Sequence, residues 1–273
     1  MPYILFSCME LTYFKFIGFN LSIPPGFCFF KRLLSLHFFS VVFESGALEN
    51  LISGCPLLEK LSIDLCYGFE YFDFSVPSLK VLLLDFDHNM KSICLKKANN
   101  LIDLTLVTTG GWASGLIKSL PIIQSLNIHF WFDNKILFAD IIPPSLLKIS
   151  FSSIKYLKLG EHVDITQAPD RSEEFECSSC CLNQLKTVNI NIRSCSQYAM
   201  SLIQFILANS TSLKTLTFDV RLDSQKLDAP VLLRISQDLL LMKRASHRAE
   251  LEVDNKFDAP VLANISHDML WIE

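Results

Sequence analysis

Apolar residues along this chain fall repeatedly into one short spacing: apolar, two residues, apolar, one residue, apolar. It appears as Leu11/Phe14/Phe16, Leu33/Leu36/Phe38, Leu58/Leu61/Ile63, Leu79/Leu82/Leu84 and Leu101/Leu104/Leu106. It continues as Ile123/Leu126/Ile128, Ile154/Leu157/Leu159, Leu185/Val188/Ile190 and Leu213/Leu216/Phe218. Successive units begin 21 to 31 residues apart. The last two positions of a unit are two apart, so on a strand they point to one side. The first lies three residues earlier, in a turn leading into the strand. All three are then directed inward. No unit can bury them alone, but stacked neighbours can. Each such side chain contributes about 1.5–3 kcal/mol on burial, before conformational entropy is set against it.

Leucine-rich repeats have periods of about 20–29 residues, and two of the later intervals here slightly exceed that. Several units share more than the skeleton. Leu79-Lys80, Leu185-Lys186 and Leu213-Lys214 each place lysine after the first leucine, and Leu58 is followed by Glu59-Lys60. The expected fold is an α/β leucine-rich-repeat solenoid, a curved parallel sheet with irregular helix and loop connectors. A doubly wound α/β domain needs a crossover helix between strands, and most gaps are too short for one. Residues 44–53 and 199–208 read as helices, with Leu48, Leu51 and Ile52, and Met200, Ile203 and Leu207, at helical spacing. The other connectors read as loops. The polar stretch from 161 to 181 reads as an exposed insertion.

Residues between the inward positions face outward on the side expected to be concave. The predicted central column is Lys15, His37, Ser62, Leu83, Thr105, Asn127, Lys158, Asn189 and Thr217. All but Leu83 are candidate partner-binding residues. Flanking positions include Tyr13, Lys60, Asp64, Asp85, Asp103, His129, Tyr156 and Asp219. Solenoids commonly bind through such an extended surface.

Composition narrows the chemistry. Half of the 273 residues are hydrophobic, which suits a continuous repeat core. The net charge of −4 argues against a general nucleic-acid binder. Mean hydropathy is high at +0.34, yet the best apolar run, residues 27–43, is interrupted by Lys31, Arg32 and His37. A spanning helix needs about 20 apolar residues, so no membrane segment is expected, and the first residues do not read as a signal peptide. Nine cysteines without regular spacing suit a reducing compartment, cytoplasm or nucleus. Cys177, Cys180 and Cys181 form one tight group but lack a second ligand pair for zinc, so no metal or other cofactor is expected. No phosphate-cradling glycine loop, HExxH motif or convergent His, Cys, Ser and carboxylate set is present, and the chain reads as non-enzymatic.

Residues 226–243 and 256–273 are a local duplication, identical at ten of eighteen positions. The expected division is a repeat region over 1–180, a second repeat region over 181–252, and a partial, poorly ordered duplicate over 253–273.

The stretches LFSCMELTYFKF, LISGCPLLEKLSI, PSLKVLLL, LKTVNINI, FILANSTSLKTLTF and KRASHRAELE together resemble the plant F-box proteins that carry leucine-rich repeats and a C-terminal FBD segment. The resemblance runs from about Ile4 to Glu252 and makes the second region FBD-like. It implies that the repeats select a target protein for an SCF-type ubiquitin ligase, while an F-box of about forty residues docks on the ligase adaptor. Ten residues precede Leu11, so the chain is expected to lack the F-box, which puts adaptor binding in doubt. The alternatives are a free-standing repeat scaffold or truncated fragment without a ubiquitin role, and small-molecule sensing in the concave face.

Overall fold

The computed structural model describes residues 10–23, 30–86, 90–108, 112–120, 123–130, 152–161, 182–192, 197–220 and 229–254. In chain order the elements are β1 (Tyr13–Ile17), β2 (Asn20–Leu21), β3 (Ser35–Phe39), β4 (Val42–Phe43), α1 (Ala47–Ser53), β5 (Lys60–Asp64), β6 (Tyr71–Ser75), β7 (Val81–Phe86) and β8 (Ser92–Lys96). They continue as β9 (Asp103–Thr108), α2 (Trp112–Ser119), β10 (Ser125–Phe130), β11 (Tyr156–Glu161), β12 (Thr187–Ile192), α3 (Gln197–Asn209), β13 (Thr215–Val220), α4 (Ala229–Leu241) and β14 (Glu250–Asp254).

Ten of these strands form one sheet in the order β1-β3-β5-β7-β9-β10-β11-β12-β13-β14. Every pair along it is parallel and in strict repeat register: Phe14 opposes Leu36, Leu36 opposes Leu61, and so on to Leu216 opposite Leu251. This is the leucine-rich-repeat solenoid. The three apolar positions of all nine sequence units lie in one core cluster, fully buried except for Leu11 and Phe14, which are partly so. A tenth strand, β14, adds Leu251 and Val253 to the same cluster. The lower apolarity of ELEVD hides it from the leucine spacing.

Seven units also show, among the described residues, a fourth inward position that the spacing missed. Three residues before the first apolar position stand Phe30, Cys55, Val76, Ala98, Leu120, Leu182 and Ser210, all buried. A tight turn connects the two, with the amide of Leu58 donating to the carbonyl of Cys55 at 3.1 Å and that of Leu185 to Leu182 at 3.1 Å. The chemical variety at this position, from Phe to Ser, is why it has no signature in the sequence.

The first three strands of the main sheet end alike. Gly18, Ser40 and Leu65 follow β1, β3 and β5 with φ of 69°, 54° and 50°, and each amide donates to the neighbouring strand, as Ser40 does to Asp64 at 3.0 Å. The left-handed turn redirects the chain into two small parallel sheets, β2-β4 and β6-β8. Where Tyr67 bridges Val42, Gly68 has φ of 100°, and a Cβ there would lie 2.1 Å from the carbonyl oxygen of Phe43. Only glycine fits that crossing.

Both expected helices are present, α1 starting later and α3 extending slightly beyond its prediction. Two more stand where loops were expected. In α2, Ala113, Leu116 and Ile117 are buried, and in α4, Ile235 and Leu239 are. Pro230 in the first turn of α4 is compatible with a helix start, because the amide it lacks has no helical partner there. The residues 162–181 of the expected insertion, the Cys177, Cys180 and Cys181 group, and the second duplicate copy beyond Asp254 lie outside the described residues. The sheet order passes position 180 without a break.

Candidate partner-binding face

Because strand residues alternate, the register that stacks the leucines also stacks what lies between them. Lys15 opposes His37, His37 opposes Ser62, Ser62 opposes Leu83 and Leu83 opposes Thr105. Thr105 opposes Asn127, Asn127 opposes Lys158, Lys158 opposes Asn189 and Asn189 opposes Thr217. The eight candidate residues therefore form a single row across the sheet, with Leu83 among them. Glu252 on β14 extends it. Neighbouring strands are about 4.8 Å apart, so the row spans about 40 Å.

Its character changes along the sheet. At the β1–β5 end, Lys15 and Lys60 are exposed and His37 is half-buried. The His37 ring tilts against Tyr13 with centroids 5.3 Å apart. Burial, then Lys15 and Lys60, hold its pKa below 6.5, so the neutral imidazole is favoured. Ile17 and Phe39, paired at the end of the same strands, are exposed apolar neighbours. Beside them Asp64 opposes Asp85. Burial raises the Asp64 pKa, while a hydrogen bond with Asp85 and the charge of Lys15 pull it back.

The middle of the row is drier. Leu83 is only 4% exposed. The side-chain oxygens of Asn127 and Asn189, on either side of Lys158, are buried without a hydrogen-bond partner. His129 is buried next to Gly160. At the β14 end, Glu250 and Glu252 are exposed, and Thr217 Oγ1 donates to Glu252 Oε2 at 3.3 Å.

One pairing was not foreseen. Ser35 Oγ and His37 Nε2 share a 3.0 Å hydrogen bond. A nucleophilic serine needs a base that is itself oriented by a third group, and donors for the developing oxyanion. Among the described residues no carboxylate hydrogen-bonds the other ring nitrogen of His37, and its charged neighbours are lysines. Nor does any group of three or more His, Cys, Asp or Glu side chains there form a metal cage. Cys55 and Cys66 are buried free thiols, with burial pushing their pKa up to about 12 and about 11. That suits inert packing. No helix among the described residues is long and apolar enough to cross a membrane.

Fold and face define a leucine-rich-repeat module. Residues 1–131 match the family model described as FBD-associated F-box protein At5g56370, LRR repeats, and residues 178–218 match the FBD model. The chain is similar to the F-box/FBD/LRR-repeat proteins of Arabidopsis thaliana. It is 26% identical to F-box/FBD/LRR-repeat protein At1g13570, over 92% of this chain and 69% of that one. It is 22% identical to F-box/FBD/LRR-repeat protein At1g13780, over 79% of this chain and 62% of that one. It is 26% identical to putative F-box/LRR-repeat protein At3g18150, over 68% of this chain and 41% of that one. The matches thus span between two fifths and about two thirds of these relatives' lengths.

Proposed function

We propose that this chain is a non-catalytic module that recognises a target protein through the row from Lys15 to Thr217, and that the recognition serves an SCF-type ubiquitin ligase. One observation carries the binding part: a single strictly registered row, polar or charged except at Leu83, runs the length of the sheet, with Lys15 and His37 at one end and Glu252 at the other. The ligase part rests on the F-box named in the relatives. In this reading residues 1–180 are the repeat region, 181–252 the FBD-like region and 253–273 a partial duplicate outside both. The compartment is cytoplasm or nucleus, the partner is protein, and neither nucleic acid, membrane nor cofactor takes part.

The test is affinity capture from Arabidopsis thaliana extract with the tagged chain and with a His37→Glu/Thr105→Glu variant. Captured proteins are compared quantitatively, and the ligase adaptor and cullin are probed directly. A target lost with the variant and accompanied by adaptor and cullin supports both parts. Such a target without adaptor or cullin leaves a free-standing scaffold. Identical captures overturn the binding row itself.

A further inference from the structure

The residue just before the first outward column forms a second row, at the rim where the chain enters each strand. From β3 to β13 it reads Leu34, Glu59, Lys80, Ile102, Gln124, Lys155, Lys186 and Lys214. The backbone links these positions directly. Lys186 N donates to Lys155 O at 2.8 Å and Lys214 N to Lys186 O at 2.8 Å. Three lysines therefore stand on three adjacent strands, about 4.8 Å apart.

The two halves of the rim differ. In the first, Lys80 Nζ is paired with Glu59 Oε1 at 2.7 Å, and the remaining positions are uncharged. In the second, Lys155 donates to the neutral Gln124 at 2.8 Å. Among the described residues no carboxylate pairs with Lys155, Lys186 or Lys214. One column inward the same strands carry the hydroxyls of Tyr156, Thr187 and Thr215, and a further column in stands Lys158. On β11 to β13, four lysines and three hydroxyls thus stand at neighbouring register positions at the strand entrances. The glutamates of β14 bound this group on one side, and the neutral Ser125 and Asn127 of β10 on the other.

Like charges in register repel, and water screens them only in part. Such a row is favourable when an anionic ligand supplies a counter-charge that no described residue provides. Lysine is a compact point charge, whereas planar bidentate recognition of phosphate favours arginine. Carboxylates along an acidic segment match the lysine row in sign. We propose that the rim of β11–β13, built by Lys155, Lys186 and Lys214 with Lys158, is a docking site for an acidic, Asp/Glu-rich segment of a partner protein. Two of these lysines, Lys186 and Lys214, lie within the FBD match, which gives that segment a binding task of its own. The inference rests on the proposed role as a protein-binding module and names the chemistry of one partner segment.

The probe is a fluorescein-labelled ten-residue peptide of alternating Asp and Ser, titrated by anisotropy against the full chain in low and moderate salt. A ten-nucleotide single-stranded RNA serves as competitor. Expected results are saturable binding that weakens with salt, at least a tenfold loss in Lys186→Glu/Lys214→Glu, and a smaller loss in Lys186→Gln/Lys214→Gln. Lys80→Gln, on the paired half of the rim, should bind as the unaltered chain does. Thermal melts confirm that each variant is folded. Peptide binding unchanged by the double reversal overturns the proposal, as does RNA displacing the peptide at equal or lower concentration. If target capture still depends on His37 and Thr105 but the peptide does not bind, the rim proposal fails while the module reading stands. The converse separates them in the other direction.

Discussion

The ring of His129 occupies the space that a side chain at residue 160 would need. The two residues are register partners on β10 and β11, and a Cβ on Gly160 would lie 2.5 Å from His129 Nδ1. His129 is buried, so the ring has little room to retreat. Gly160→Ala should destabilise the chain by about 1–3 kcal/mol, the range for overpacking. In a double-mutant cycle with His129→Ala the cost should largely disappear, because the clash goes with the ring. Denaturant melts of the four proteins measure this directly, and additive effects would show that the two residues do not compete for the space.

Ser210 is the odd member of the fourth inward position. It is fully buried, and its hydroxyl has no hydrogen-bond partner, whereas buried Ser246, in the turn before β14, donates to the carbonyl of Leu213 at 2.7 Å. A buried unsatisfied hydroxyl costs about 1–3 kcal/mol. Ser210→Ala should therefore stabilise by about 1 kcal/mol, which is about 2–4 °C in Tm for a chain of this size. Ser246→Ala should destabilise. Opposite signs at these two buried serines are the outcome to look for by calorimetry.

Ser40 holds φ of 54°, a conformation that costs a non-glycine residue about 1–2 kcal/mol. The chain already uses Gly18 at the aligned turn one repeat earlier. Ser40→Gly should raise stability, by less than about 1 kcal/mol once the extra freedom of glycine in the unfolded chain is counted. Gly68→Ala should do the reverse and more strongly, because the obstacle at 2.1 Å is backbone. Paired urea melts of the two variants give the comparison, and similar midpoints would contradict it.

Two titrations on the open face act in opposite directions. The folded state favours neutral His37, chiefly through burial and then through Lys15 and Lys60. Its contribution to stability is present above pH 6.5 and is lost as pH falls toward the lowered pKa. For Asp64, burial raises the folded pKa above 3.8. That contribution is full below pH 3.8 and is lost as pH rises through the folded value. His37→Gln should flatten the fall in stability just below pH 6.5. Asp64→Asn should raise Tm at pH 7, with the gain shrinking in acid. A gain independent of pH would mean that ionisation of Asp64 is not its source.

The solenoid and its central row were legible because one geometric rule produces both. A three-point apolar spacing fixes which residues point inward, and parallel register then fixes what stands between them, from Lys15 to Thr217. Other features carry no comparable code. The fourth inward position accepts Phe30, Cys55, Val76 and Ser210 alike, so burial there leaves no pattern. Helix α2 is a short WASGLIKS run whose Ala113 and Gly115 blur the apolar face. The Ser35–His37 hydrogen bond depends on two side chains meeting across one strand residue, which spacing permits but does not require. The contrast along the rim, Lys80 paired with Glu59 and Lys186 without a carboxylate among the described residues, emerges only when the strands are aligned. The partner role of the row is a proposal that spacing cannot reach.

The most direct test of that role places a photo-crosslinking amino acid at Thr105, mid-row on the main sheet, and separately at exposed Ser92 on the small β6-β8 sheet. Each tagged chain is irradiated in plant extract, and the adducts are resolved by mass. The account predicts discrete protein adducts from position 105 that His37→Glu suppresses, and none in common from position 92. The same adducts from both positions, or adducts from 92 alone, would contradict it.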